Sequence, residues 1–239
     1  EHPEYLVQGT EQELRSEPQN YIRLGDKIFA HGRDPYFPGW RDTLQLNFRH
    51  AGLRQAMIDA LLSLTKMCDG IRCDMAMLLL PNVFKRTWGD RSQPSDGSAA
   101  VDTPFWPEAI QTVRARRADF LFLSEVYWDL EATLQAQGFD YTYDKSYYDR
   151  LCTGDAEVVR EHLTADDEFQ RKCARFLENH DEQRAAAQDL RRIARHVAQL
   201  AGAPREAELI QELQHLDRHV APDAGAAIVV GRGEAVGLG

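Results

Sequence analysis

The sequence predicts an α/β fold: a parallel sheet covered by helices, as in part of a (β/α) TIM barrel. Three observations predict it. Short apolar runs recur along the chain, three of them end at or just before a carboxylate, and the segments between them have helical periodicity. The acid-bearing runs are Gly70-Ile71-Arg72-Cys73-Asp74, Phe120-Leu121-Phe122-Leu123-Ser124-Glu125, and Phe176-Leu177-Glu178-Asn179-His180-Asp181. A strand that delivers an acid to its C-terminal end, repeated with helices between, is how such a barrel assembles an active site. The order β, α, β, α, β, α, β with right-handed crossovers makes the sheet parallel.

Taken in order, residues 1–50 are rich in Gly, Pro and aromatic residues and show no sustained period. Asp34-Pro35-Tyr36-Phe37-Pro38-Gly39-Trp40 cannot be a helix interior, and the whole stretch is expected to be irregular. Leu53, Met57, Leu61 and Leu64 then fall on one helical face up to about Lys66. Asp69-Gly70 breaks that helix, and residues 71–75 read as a short buried strand. Leu78-Leu79-Leu80-Pro81 leads into a long polar loop over 89–103, of the kind that is functional or mobile. Pro107 opens a helix over 108–117. Residues 120–124 form the next strand, 128–137 a helix stopped by Gly138, and 139–143 another strand. Helices follow over 145–151 and 156–162, then a last strand over 173–177. Beyond Asp181, Leu190, Ile193, Val197, Leu200 and Leu209, Leu213, Leu216, Val220 form two helical stripes separated by Gly202-Ala203-Pro204, a helical hairpin. Three regions result: 1–50, 51–184, and a divergent tail over 185–239 that ends in a Gly-rich, flexible segment.

Composition narrows the function classes. The 239 residues can hold a sizeable core, and ten Phe with four Trp are usual for a globular protein. A net charge of -10 argues against a general nucleic-acid binder. No apolar run approaches the length of about 20 residues that a membrane span needs. Cys68, Cys73, Cys152 and Cys173 show no CxxC pairing and lie in or beside apolar segments, so reduced thiols and a cytoplasmic setting are expected. The chain opens at Glu1 rather than Met, so a preceding segment is expected.

Two or three carboxylates at strand ends suit glycosidic bond cleavage, in which one attacks and another donates a proton. The motif order also resembles a known family. Residues 70–74, 122–125 and 176–181 look like three of the short conserved regions of the α-amylase superfamily of retaining glycoside hydrolases. Trp40-Arg41-Asp42-Thr43-Leu44-Gln45-Leu46-Asn47 looks like that family's return from its loop domain into barrel strand four. Phe139-Asp140-Tyr141-Thr142-Tyr143-Asp144 is also similar to bacterial members. The resemblance covers roughly residues 1 to 185. It implies barrel strands four to seven, with 1–50 the remainder of a loop domain inserted before strand four. By the same resemblance Asp74 would be the nucleophile, Glu125 the general acid/base, and Asp181 the acid that holds substrate and stabilises the transition state. His180 would bond sugar hydroxyls, and Tyr127 and Trp128 would stack on a neighbouring sugar or pack between strand and helix. Alternation along a strand puts Arg72 on the same side as Asp74, where the guanidinium can keep the carboxylate ionised. The implied substrate is an α-linked glucan or glucoside, hydrolysed or transglycosylated. Calcium is implied only through the family.

The chain also departs from that family. The family's first conserved region, an Asp-x-x-x-Asn-His type segment, does not occur in it, and an Arg- and Ala-rich stretch follows Arg184. A catalytically incompetent fragment or a glucan-binding pseudoenzyme is therefore the competing expectation. His215 and His219 sit four apart on one helix face, but no third ligand stands at a recognisable spacing for zinc. Gly231-Arg232-Gly233-Glu234-Ala235-Val236-Gly237 lacks the spacing of a dinucleotide fingerprint.

Overall fold

The first fifty residues are more regular than their composition predicts. The structure is a computed structural model that describes residues 2–153, 155–164, 166–182, 184, 228–231 and 234–237. The chain divides into two units, Glu1–Phe122 and Leu123–Gly239.

In the first unit, Thr10 and Glu13 form a reciprocal capping box that starts helix α1 (Glu11–Ser16). Strands β1 (Tyr21–Leu24) and β2 (Lys27–Ala30) then pair antiparallel, Leu24 opposite Lys27. The overlooked cue was Gly25-Asp26 between two apolar runs, a two-residue hairpin turn with Gly25 at φ 63°. Tyr21, Ile28 and Ala30 pack with Val7, Phe84 and Trp88 into one core cluster.

The Asp34–Trp40 stretch is non-helical, as its prolines dictate, yet it is firmly held. Buried Asp34 accepts the amides of Tyr36 and Phe37 through Oδ1. The Gly39 amide donates to Asn20 Oδ1, and that of Trp40 to Gly32 O. A side chain at Gly39 would come within 2.7 Å of His31 Cβ, so only glycine fits there. The rings of Tyr36, Phe37 and Trp40 remain exposed.

Helix α2 (Ala51–Leu64) follows the predicted stripe, burying Leu53, Ile58 and Leu61 behind an N-cap from His50. Strand β3 (Gly70–Cys73) comes next, shorter and less buried than expected: only Cys73 is fully covered. Its entry is fixed by Arg117, which donates to the carbonyls of Thr65 and Cys68 and pairs with Asp69. The Leu121 amide donates to Asp69 O, and Gly70 lies so close to Leu121 that a Cβ would stand 2.9 Å from its carbonyl oxygen.

Ahead of the polar loop expected over 89–103 stand a 3-10 turn (Ala76–Leu79) and helix α3 (Pro81–Trp88), neither of which the sequence reading assigned. Pro81 at the first helical position was the missed start signal. The following loop is tied down rather than loose. Ser95 bonds Gln8, Asp96 bonds His50, Asp102 pairs with Arg49, and the Val101 amide donates to Arg49 O. Helix α4 (Phe105–Arg114) begins upstream of Pro107, whose missing N–H falls among the first-turn donors that have no intrahelical partner.

Strand β4 (Leu121–Ser124) ends inside the second unit. There β4, β5 (Tyr141–Tyr143) and β6 (Cys173–Ala174) pair in parallel, with Leu123 opposite Tyr141 and Thr142 opposite Cys173. Helix α5 (Glu131–Ala136) starts later than residue 128, because Trp128 and Asp129 hold positive φ of 65° and 57°. Helices α6 (Lys145–Thr153) and α7 (Ala156–Leu163) match expectation. Helix α8 (Asp167–Arg171), capped by Asp166, was not anticipated. Strand β6 is two residues long rather than the five expected. Leu123, Tyr143, Tyr148, Leu151, Val159 and Phe176 are central to this unit's core.

The proposed hairpin over 185–220, including His215 and His219, lies outside the described residues. The Gly-rich end is not wholly irregular: β7 (Ile228–Gly231) and β8 (Glu234–Gly237) pair antiparallel. The β-branched and apolar residues of Ile228-Val229-Val230 and Ala235-Val236 outweigh the glycine content.

Candidate active site at the strand ends

Asp74 and Glu125 stand just beyond a strand, whereas Asp181 lies further along the irregular chain that follows β6 (Cys173–Ala174). Asp74 is the residue after β3. Its neighbour Met75 has a left-handed backbone, φ 43°, which turns the chain sharply into the 3-10 segment. Arg72 Nη1 lies 2.5 Å from Asp74 Oδ1, the same-side pairing that strand alternation predicts. The Asp74 side chain is 75% exposed and that of Arg72 24%, so the carboxylate faces solvent while the guanidinium is mostly covered. The Trp106 indole donates to Ala76 O, bracing the turn from α4.

In the second unit, Glu125 is the residue after β4 and is only 3% exposed. The Tyr127 hydroxyl donates to Glu125 Oε1 at 2.6 Å. Burial, followed by the hydrogen bond and charge of Glu125, pushes the Tyr127 phenol well above its usual range. The charges of Asp181 and Glu182 act in the same direction. Asp181 and its neighbour are oriented by Asn179, whose Oδ1 accepts both their amides at 2.9 Å. His180 lies 3.1 Å from Asp181 through Nε2, and both side chains are more than half exposed. Glu182, which the sequence did not single out, pairs with Lys145 at 3.1 Å. Trp128 is 37% exposed on the positive-φ turn before α5.

Two polar atoms here, Ser124 Oγ and Asn179 Nδ2, are buried and have no hydrogen-bond partner among the described residues. Unsatisfied groups of this kind are rare in folded proteins and call for an explanation. One adjoins Glu125 and the other lies two residues before Asp181.

The structure thus pairs Arg72 with Asp74 in the first unit and Tyr127 with Glu125 in the second, where the charge of Asp181 also acts on the Tyr127 phenol. The Tyr127–Glu125 contact was missed by the sequence reading, although an i, i+2 spacing on extended chain puts both side chains on one side. A separate cleft of about 600 Å3 in the first unit is lined by Arg54, Thr103, Pro107 and Glu108, and none of the candidate acids borders it. Among the described residues no three His, Cys, Asp or Glu side chains are grouped as a metal ion would need.

No family profile matches the chain. Over 159 residues it is 28% identical to "Alpha-amylase MalA" of Haloarcula japonica, an alignment covering 63% of this chain and 20% of that protein. Among solved structures it is similar to an alpha-amylase from H. orenii, with a TM-score of 0.54, 19% identity, and coverage of 84% of this chain and 41% of that one. An alpha-amylase from Lactobacillus plantarum gives a TM-score of 0.48 and 23% identity over 74% of this chain and 40% of that one. The chain therefore spans about a fifth of the length of the curated relative and about two fifths of these solved chains. The H. orenii likeness shows the fold, α/β with a parallel sheet. The sequence likeness to Alpha-amylase MalA agrees with the resemblance carried by the three motifs.

Proposed function

We propose that this chain carries the catalytic carboxylates of a retaining glycoside hydrolase acting on α-linked glucans, on the equivalents of barrel strands four to seven. The observation that carries the reading is Glu125, buried at the end of a parallel strand with Tyr127 donating to it. The motif order and the likeness to alpha-amylases support it. By the resemblance that the motifs carry, Asp74, held by Arg72, is the nucleophile for the anomeric carbon, and Glu125 is the acid whose proton passes to the leaving glycosidic oxygen. A covalent glycosyl–Asp74 ester and ionised Glu125 result. Glu125 then takes a proton from water, whose oxygen attacks the same carbon and frees Asp74; a sugar hydroxyl in place of water gives transglycosylation. Asp181 holds the sugar hydroxyls and stabilises the oxocarbenium-like transition state, with His180 beside it. Trp128 offers a ring on which a sugar can stack.

Maltoheptaose is the test substrate. Turnover with α-configured first product, followed by proton NMR, is the expected result. Asp74→Asn and Glu125→Gln each lower kcat by a factor of about 1,000 or more, the scale of losing an essential group. Unchanged rates in the Asp74→Asn variant refute the reading. Maltoheptaose binding without turnover in the parent chain favours a glucan-binding role instead.

A further inference from the structure

We infer that Tyr127 is a positioning residue for Glu125: its hydroxyl occupies one carboxyl oxygen and thereby assigns the exchangeable proton to the other. This rests on the glycosidase reading and goes beyond it, because stacking on sugar was the only binding role the sequence suggested for this ring.

The geometry is specific. The phenol donates to Oε1 at 2.6 Å, and Glu125 is almost wholly buried. Tyr127 is held on the same side of the extended segment by the two-residue spacing. Surrounded by Glu125, Asp181 and Glu182, the phenol keeps its proton throughout the working pH range and is a permanent donor. A carboxyl whose Oε1 accepts such a bond carries its own proton on Oε2. In the first half-reaction the Oε2 proton leaves for the glycosidic oxygen. The negative charge that remains is met by the Tyr127 donor, and a hydrogen bond to an ionised acceptor is roughly twice as strong as a neutral one. In the second half-reaction the water proton returns to Oε2, and the bond at Oε1 weakens again. Tyr127 exchanges no proton in either step.

Tyr127→Phe keeps the ring and removes the donor. Carbon-13 NMR of the Glu125 side-chain carboxyl, recorded on the whole chain, reads the effect without requiring turnover. The titration midpoint in the variant is expected to rise by about one pH unit, because the ionised form loses its donor. Reciprocally, the Tyr127 Cζ resonance of the parent chain shifts at the Glu125 midpoint, and that step disappears in Glu125→Gln. The reciprocal measurement decides the matter even where Tyr127→Phe does not fold. In kinetics, the alkaline limb of kcat/KM moves upward in Tyr127→Phe. An unmoved limb in Tyr127→Phe, whose ring can still stack, overturns the inference, as does a Cζ resonance that ignores Glu125. A parent chain without turnover would remove the glycosidase reading while the NMR result still decides whether Tyr127 controls the carboxyl.

Discussion

Met75 follows the candidate nucleophile in a left-handed conformation that a long side chain adopts only at a cost of about 1 kcal/mol. Nothing about methionine announces this; the turn is imposed by packing around Ala76 and Trp106, which is why the sequence reading ran the strand straight through to residue 75. Met75→Gly relieves the crowding while adding freedom to the unfolded chain, so a gain of up to about 1 kcal/mol is expected, read from urea midpoints. The same change frees the backbone beside Asp74, and turnover should fall although stability rises. A loss of stability in Met75→Gly would mean that the Met side chain contributes more than the strain costs. The acids themselves were legible because each closes an apolar run with characteristic neighbours. Trp128 and Asp129 were not, since a positive φ at tryptophan is set by the fold and has no local signature.

At the scale of elements, the second unit is joined by one buried carboxylate. Asp144, 1% exposed at the end of β5, bonds His162 of α7 at 2.8 Å and Arg175 just after β6 at 3.1 Å. It also accepts the amide of Tyr147 in α6. Burial pushes this carboxyl up, but the bond and charge of His162, the charge of Arg175 and the Tyr147 amide together hold it below its usual range. Asp144→Ala strands the Arg175 guanidinium and the His162 ring and should destabilise the chain by about 3 kcal/mol in urea unfolding. A folded-state value lower than the unfolded one means that this stabilisation is complete above about pH 4 and is lost as pH falls through the folded value. The parent should therefore lose stability as pH falls below about 4, and the variant should lose less over the same range. Equal slopes would show that Asp144 is not the group responsible. Elements with a strong period, such as α2, or a punctuating glycine, such as Gly138, were readable. The β1–β2 hairpin and α3 were missed because their cues, Gly25-Asp26 and Pro81, were read only as loop residues. Strand β6 pairs over only two residues, and an apolar run does not encode where pairing stops.

Across the whole molecule, the cysteines give one probe in each unit. Cys73 and Cys173 are buried, and burial pushes both thiols up to about 12. Cys152 is exposed, although the sequence placed it beside apolar segments. With maleimide at neutral pH, Cys152 should label first, and Cys73 and Cys173 only as their own units open. Mass spectrometry across a urea series then shows whether the units Glu1–Phe122 and Leu123–Gly239 open at one midpoint or two. Rapid native labelling of Cys73 or Cys173 would contradict their burial. The parallel α/β order was legible at this scale because apolar runs and helical stripes alternate over a hundred residues. The division into two units was not, since Phe122 and Leu123 are neighbours in one uninterrupted apolar run.

The Asp34–Trp40 loop has one more consequence. Its peptide groups are already fastened to Asp34, Asn20 and Gly32, while the Phe37 and Tyr36 rings stand 66% and 58% exposed. Most exposed loops must be frozen before they can grip anything, and that ordering consumes much of what contact would yield. Here the freezing is finished in advance. With the Arg86 guanidinium already 4.9 Å over the Tyr36 ring, it is the Phe37 ring whose covering would release dehydration energy, about 25 cal/mol for each Å2.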